Sequence, residues 1–164
     1  MKNFDWTQFT LEVAINNSLK VVYDAWSKPE ELERWFLSDA QHTDPNGRIM
    51  PKSEAAAAGT QYTWSWHLWE GTESGELTKA NGIDHIQFTF ADSTLVDINL
   101  KDFDDGVIIS LTQSNIPTDD TSKQDVRLGC EKGWSFYMVN LKSVYEGGLD
   151  LRNKNPKLKP MVNN

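Results

Sequence analysis

The 164-residue sequence predicts an α+β fold in which a curved antiparallel sheet of about six or seven strands grips one long C-terminal helix. Apolar and polar residues alternate in several short runs, which is typical of strands with one buried face. Short turns join these runs, as in an antiparallel meander. The last apolar pattern has helical spacing instead, and two short helices are predicted after the first strand.

The first third of the chain contains one strand and the two short helices. Alternation over residues 7–15 predicts the strand. Ser18 can cap a helix that starts just after it. The sequence Ser27-Lys28-Pro29-Glu30 has the form of a capping box with a proline in the first turn, so a second helix is expected to begin there. Trp35 and Phe36 then fall on the apolar face of this helix.

Turns separate the remaining strands. A turn is predicted at residues 44–47, and the alanine-rich residues 52–59 are expected to form a surface insertion or a short helix. Asn81-Gly82 and Asp104-Asp105-Gly106 favour tight hairpins. The predicted strands lie at residues 62–68, 75–79, 85–90, 96–101 and 107–112.

The C-terminal part predicts the long helix and a tail. Thr121 and Gln124 have the spacing of a capping box, and the helical pattern runs from there to Glu146. Gly147-Gly148 can terminate the helix as a glycine C-cap. We therefore expect a single domain over residues 1–152, followed by a polar tail over residues 153–164 that frays.

Composition narrows the function classes. The formal charge is −8, which argues against nucleic acid and anionic membranes as partners. Cys130 is the only cysteine, so the chain can form no intramolecular disulfide. The N-terminus lacks the apolar region of a signal peptide, and no stretch has the length of a membrane span. These features predict a cytoplasmic protein without membrane insertion; they do not predict its oligomeric state.

A sheet wrapped around a helix predicts a cavity, because two short helices at one end keep the inward side chains from all meeting. Such cavities are lined by large apolar groups and a few polar ones that orient a ligand. Taken one by one, these residues favour ordinary core, so the cavity prediction depends on the architecture rather than on any single residue. The candidate lining residues are Trp35, Phe36, Tyr62, Trp64, Trp66, Phe88, Phe90, Ile98, Leu100, Ile109, Leu111, Arg127, Trp134, Tyr137, Met138 and Leu141.

The sequence predicts neither catalytic residues nor a metal or cofactor site. His42, His67 and His85 lie far apart in the sequence, whereas a metal site needs clustered ligands. Cys130 has no histidine nearby to activate it and is expected to pack as an inert helix residue. Arg127 could stabilise negative charge on a substrate in the cavity, or its stem could reach the rim and expose the guanidinium.

Two blocks of sequence identify a family resemblance. Val22-Tyr23-Asp24-Ala25-Trp26, followed by residues 29–36, resembles the opening of START-like proteins of the SRPBCC superfamily. The match is closest to homologues of the activator of the heat-shock-protein-90 ATPase. Gly133-Trp134, Asn140-Leu141-Lys142 and residues 147–152 resemble the terminal signature of that branch, and residues 62–66 and Gly75-Glu76 also fit.

The resemblance implies a helix-grip fold, as in Bet v-type proteins, with a hydrophobic cavity between the sheet and the last helix. Relatives in the superfamily bind lipids, hormones or polyketides, and some are cyclases or hydrolases. The leading hypothesis is non-catalytic binding of a small hydrophobic molecule. The alternatives are a co-chaperone-like regulator of a heat-shock chaperone ATPase and a polyketide-cyclase-like enzyme.

Overall fold

The structure, a computed structural model, describes residues 4–164. Its strands form one curved antiparallel sheet beside the C-terminal helix, so the predicted helix-grip fold is confirmed. The elements, in chain order, are β1 (Phe9–Ile15), α1 (Leu19–Ser27), α2 (Pro29–Trp35), β2 (Asp39–Thr43), β3 (Gln61–Ser65), β4 (Glu73–Ala80), β5 (His85–Phe90), β6 (Thr94–Phe103), β7 (Gly106–Ser114) and α3 (Gly129–Tyr145).

Strands β2 to β7 form an antiparallel meander, and β1 lies beside β7 at one edge of the sheet. Its order is β1-β7-β6-β5-β4-β3-β2, so the first strand pairs with the last and β2 forms the opposite edge. The strand β2 was not predicted from the sequence. Its inward residues are Ala40 and His42, whereas Asp39 and Gln41 are exposed. Alternation is present in this strand, but its inward side chains are too small or polar to give an apolar signal.

The two short helices begin where they were predicted, but only one has the predicted cap. The Ser18 hydroxyl accepts a hydrogen bond from the Val21 backbone at 3.4 Å. The capping box at Ser27 does not form, because Ser27 is the last residue of α1 and its hydroxyl is buried without a partner among the described residues. Lys28 is the N-cap of α2, and Pro29 occupies its first turn.

The capping box at Thr121 is also wrong. The Thr121 backbone is already helical, with φ −64° and ψ −49°, and its side chain makes no capping bond. The carboxylate of Asp119 accepts hydrogen bonds from the Ser122 backbone at 3.0 Å and from its hydroxyl at 2.6 Å. Asp119 therefore caps this helix. The predicted C-cap is present, because Gly147 has φ +78°.

The long helix is not regular along its whole length. Residues Ser122–Leu128 form a π-helical segment that runs directly into α3. In this segment the Gly129 backbone donates to the carbonyl of Gln124, five residues earlier. Each residue of a π-helix turns the chain by less than an α-helical residue does. The side chains before Gly129 therefore point in directions that a regular helical wheel does not give.

Residues 52–59 form a loop that packs on the core instead of a free insertion. Ala56 is buried, and its backbone donates to the carbonyl of Ser27 at 2.9 Å. The Lys52 carbonyl accepts from the Glu30 backbone at 3.0 Å. The loop thus fastens the junction between α1 and α2.

Candidate functional site

A cavity of about 590 Å³ lies beside the aromatic core, between the first turns of α3 and the segment that links β3 to β4. This size falls within the range of small-molecule sites, which span roughly 300–1,000 Å³. Aromatic rings make up much of its wall. Its lining residues are Phe36, Trp66, His67, Leu68, Trp69, Glu73, Phe90, Asp125, Gly129, Cys130, Gly133, Trp134, Tyr137, Pro160, Met161 and Asn164.

The inner wall is a set of rings that hold one another in place. Phe36 stacks on Trp134 with ring centroids 5.0 Å apart and meets the edge of Tyr137 at 4.9 Å. The centroid of the Phe90 ring also lies 5.3 Å from that of Trp134. The Trp134 indole nitrogen donates to the buried side chain of Gln113 at 3.1 Å, which fixes the ring orientation. This wall is therefore preorganised.

The helical wall has space because two of its residues are glycines. Gly129 and Gly133 lie one turn apart on the side of α3 that faces the cavity. A Cβ atom built on Gly133 would meet no atom within 4 Å. Glycine lowers the stability of a helix interior by roughly 0.5–1 kcal/mol relative to alanine. The missing side chain leaves open volume at this position.

The outer wall is a strained connection after β3. The predicted strand over residues 62–68 ends at Ser65, and Leu68 has φ +62°. A branched side chain is uncommon in this left-handed region, and such strain is concentrated at functional sites. The turn brings Trp69 against Trp66, with ring centroids 5.3 Å apart. Trp69 is 52% exposed and forms part of the mouth.

The C-terminal tail closes part of the mouth, contrary to the expectation that it frays. Pro160, Met161 and Asn164 line the cavity. The Tyr137 hydroxyl donates to the carbonyl of Asn164 at 2.7 Å. The side chain of Asn163 donates to the carbonyl of Leu151 at 2.9 Å. The tail is thus attached at two places.

Most titratable groups of the lining are uncharged near neutral pH. Burial, with the nearby charges of Arg152 and Lys154, lowers the pKa of His67. Burial raises the pKa of Cys130 to about 11 and that of Tyr137 to about 12. The Cys130 thiol is therefore protonated and is a poor nucleophile.

Glu73 is the half-buried charged group of the lining. Burial raises the pKa of its carboxyl group, and the charge of Asp92 raises it further. One carboxylate oxygen accepts a hydrogen bond from the Ala91 backbone at 2.8 Å. This bond holds the turn after β5, where Ala91 and Asp92 both have positive φ. Glu73 therefore supports a strained turn and faces the cavity.

The structure divides the predicted lining residues into two groups. Phe36, Trp66, Phe90, Trp134 and Tyr137 line the cavity. Ten others pack with almost no exposure in one buried cluster to which the sheet, α2 and α3 all contribute. For example, Trp64 lies 5.3 Å from Phe88. The core group is Trp35, Tyr62, Trp64, Phe88, Ile98, Leu100, Ile109, Leu111, Met138 and Leu141.

Arg127 was predicted to line the cavity, but it lies elsewhere. Its side chain is 6% exposed and is paired with Glu131. The guanidinium lies over the rings of Phe4 and Phe9, 4.8 and 5.0 Å from their centroids. The π-helical segment changes its direction relative to a regular helix. The structure thus removes from the cavity the donor on which the cyclase hypothesis depended.

Sequence reasoning missed the residues that come from outside regular elements. His67 falls within the predicted strand over residues 62–68, but that strand ends at Ser65. Met161 belongs to the tail, where no periodicity indicates its position. Glycines on the apolar stripe of the last helix were the available signal, because Gly129 and Gly133 flank Cys130 and Trp134 there.

The described residues show neither a cluster of metal-ligating side chains nor a helix that could span a membrane. Between Phe4 and Asn164, no three His, Cys, Asp or Glu side chains are placed to hold a metal ion. None of the helices in that range is long and apolar enough to cross a membrane.

A second cluster explains the terminal sequence signature. The Arg152 guanidinium is buried and donates to the carbonyls of Glu33, Arg34 and Leu37 at 2.9–3.0 Å. It also pairs with Asp150 at 2.8 Å. Glu33 and Arg34 lie in the last turn of α2 and Leu37 lies just beyond it, so Arg152 binds the backbone on both sides of Phe36. The signature thus has a structural role next to the cavity.

Comparison of the sequence with models of known protein families identifies one match. The model of the family described as "Activator of Hsp90 ATPase homolog 1-like protein" matches residues 16–146. No curated protein matches the chain.

Solved structures share the fold at low sequence identity. A protein from Staphylococcus saprophyticus is 19% identical with a TM-score of 0.70, covering 88% of this chain and 96% of that one. The Aha1 dimer from Colwellia psychrerythraea is 18% identical with a TM-score of 0.66, covering 86% and 97%. An HSP90 activator from Plasmodium falciparum is 17% identical with a TM-score of 0.56, covering 79% and 88%.

The family match covers most of the chain, and the fold of these neighbours agrees with it. The chain belongs to the family of proteins like the activator of Hsp90 ATPase homologue 1, within the SRPBCC superfamily.

Proposed function

We propose that the protein binds a small hydrophobic molecule in this cavity and does so without catalysis. The observation that carries the proposal is a volume of about 590 Å³ walled by fixed aromatic rings, with two helix glycines opposite them. Apolar pockets with a few polar groups are the usual form of ligand sites. The single cysteine favours a reducing compartment, so we place this binding in the cytoplasm.

Gly133 offers a direct test, because its missing side chain leaves the volume open. Nile red, a neutral apolar dye, is titrated into the wild-type protein, Gly133→Ala and Gly133→Phe while its fluorescence is followed. We expect saturable binding to the wild type and a loss of at least about tenfold in affinity in Gly133→Phe, whose ring would occupy the cavity.

Gly133→Ala is the matched control. It adds a single methyl group and should stabilise the helix by about 0.5–1 kcal/mol in urea unfolding. Its dye affinity should stay close to that of the wild type. Absence of saturable binding to the wild type, or equal affinity in Gly133→Phe, would contradict the proposal.

A second candidate function is regulation of a heat-shock chaperone ATPase. The family match and the fold shared with an HSP90 activator favour it. The chaperone from the same cell is assayed for ATP hydrolysis with and without this protein. An increase that saturates with added protein would support the regulator hypothesis, whereas an unchanged rate together with no complex in sedimentation would remove it.

A further inference from the structure

The described residues of the cavity lining carry negative charge and no positive charge. Glu73 and Asp125 are its carboxylates, and its described residues include no lysine or arginine. Burial keeps His67 and Cys130 in their uncharged forms near neutral pH. The charged side chains available to a ligand head group in the cavity are therefore carboxylates.

Among residues 4–164, no lysine, arginine or histidine forms an ion pair with Glu73. The groups that act on its carboxyl are the Ala91 backbone and the charge of Asp92, and no cation is among them. Taking a carboxylate out of water costs free energy that a bound cation can offset. Arg152 and Lys154, the cations whose charges act on His67 in the lining, both pair with Asp150 at 2.8 Å. The charge of Glu73 is thus available to a ligand.

The aromatic wall has the same preference as the carboxylate. The faces of aromatic rings carry partial negative charge and attract ammonium groups, most strongly those of tryptophan. Trp66, Trp69 and Trp134 all contribute to the wall. An anionic head group would face two carboxylates and these ring faces together, so we expect it to be rejected.

We propose that the cavity selects an amphiphilic cation, with its ammonium head against Glu73 and its apolar body along Trp134 and Met161. This inference rests on the proposed function, because it concerns the same cavity. It adds the chemical class of the ligand: an amine with an aliphatic or aromatic body.

Three probes that differ only in the head group test the proposal: octylammonium, octanol and octanoate. Their affinities for the full chain are measured by calorimetry near neutral pH, below the concentrations at which they form micelles. We expect octylammonium to bind about tenfold more tightly than octanol, which is the size of a partly desolvated cation–π and charge contribution. Octanoate should bind more weakly than octanol.

Glu73→Gln separates the head-group interaction from the apolar one. Glutamine keeps an oxygen that can accept from the Ala91 backbone and removes the charge. The ratio between the octylammonium and octanol affinities should fall from about tenfold to about two- or threefold, which is the ring contribution alone. Asp102→Asn makes the same charge change at an exposed residue of β6 and should leave the ratio unchanged.

The outcomes separate this inference from the proposed function. If octanol itself does not bind, the proposed function fails and the inference with it. If octanol binds and octylammonium gains nothing over it, or octanoate binds most tightly, only the inference is overturned. If the ratio of octylammonium to octanol affinity fell as much in Asp102→Asn as in Glu73→Gln, the preference would come from the net charge of the protein. That result would also overturn the inference.

Discussion

At the scale of single residues, His42 gives the structure a specific pH dependence. Its ring is 1% exposed, and it accepts a hydrogen bond from the Trp64 indole at 3.3 Å while the other ring nitrogen has no partner among the described residues. Burial, with the charge of Lys52, lowers the pKa of His42 from 6.5 to about 4. The folded protein therefore holds this histidine neutral.

The sign of the effect follows from this lowered pKa. The unfolded chain takes up the proton first as the pH falls, so the contribution is fully present above pH 6.5 and is lost between pH 6.5 and about 4. The loss is about 3 kcal/mol. In His42→Gln, urea unfolding should show a smaller decrease in stability over this interval than in the wild type. If the free energies of unfolding of the two proteins fell equally over this pH interval, the role assigned to His42 would be contradicted.

Arg152 is the second residue whose role can be tested. It is buried and bonded to three carbonyls at the end of α2. Burial alone would raise the pKa of Asp150, but the hydrogen bonds from Arg152 and Lys154 outweigh it and hold the pKa below its usual range. We expect Arg152→Leu to lower the free energy of unfolding by about 3–5 kcal/mol, because it leaves buried partners unpaired.

Lys154→Leu is the control for this prediction. Lys154 pairs with the same carboxylate, but its side chain is 49% exposed. Exposed ion pairs contribute at most about 1 kcal/mol, so chemical denaturation should show only a small change. A loss in Lys154→Leu as large as that in Arg152→Leu would contradict the role assigned to burial.

At the scale of elements, the tail is the part whose role differs most from expectation. Pro160, Met161 and Asn164 form one side of the cavity mouth. If this segment retains a ligand, deleting residues 160–164 should raise the dissociation rate of Nile red by about three- to tenfold, since the mouth loses a wall. Stopped-flow dilution measures that rate.

Val162→Ser serves as a control within the same segment. Val162 is 64% exposed and is not a lining residue. The dissociation rate of Nile red from Val162→Ser should therefore match that from the wild type. An unchanged rate in the deletion variant would show that the tail does not retain the ligand.

The strands and the long helix could be predicted because each gives a periodic signal over enough residues. Alternation in β5, β6 and β7 is confirmed by their burial patterns. The strand β2 was missed because its buried members are Ala40 and His42. The spacing of apolar residues does not reveal the π-helical segment, so the direction of the Arg127 side chain could not be predicted from the sequence.

At the scale of the whole molecule, the sequence predicts that the sheet and helix enclose apolar residues, but not where the packing is incomplete. Trp64 and Phe88 have the same composition and alternation as Trp66 and Phe90. Only Trp64 and Phe88 are buried in the core, because β3 ends at Ser65, just before Trp66, and Phe90 is the last residue of β5. The position of the cavity depends on where strands end, which periodicity gives least accurately.

The tryptophans of the chain report directly on the cavity. Trp66, Trp69 and Trp134 line it, whereas Trp6 lies outside it, with Lys123 5.6 Å above its ring. We therefore single out the indole N–H signals in a ¹H–¹⁵N NMR titration with octanol as the decisive measurement. We expect the signals of the three lining tryptophans to shift to saturation together while that of Trp6 stays in place. Shifts confined to Trp6, or no saturable shift at Trp134, would contradict binding in the cavity.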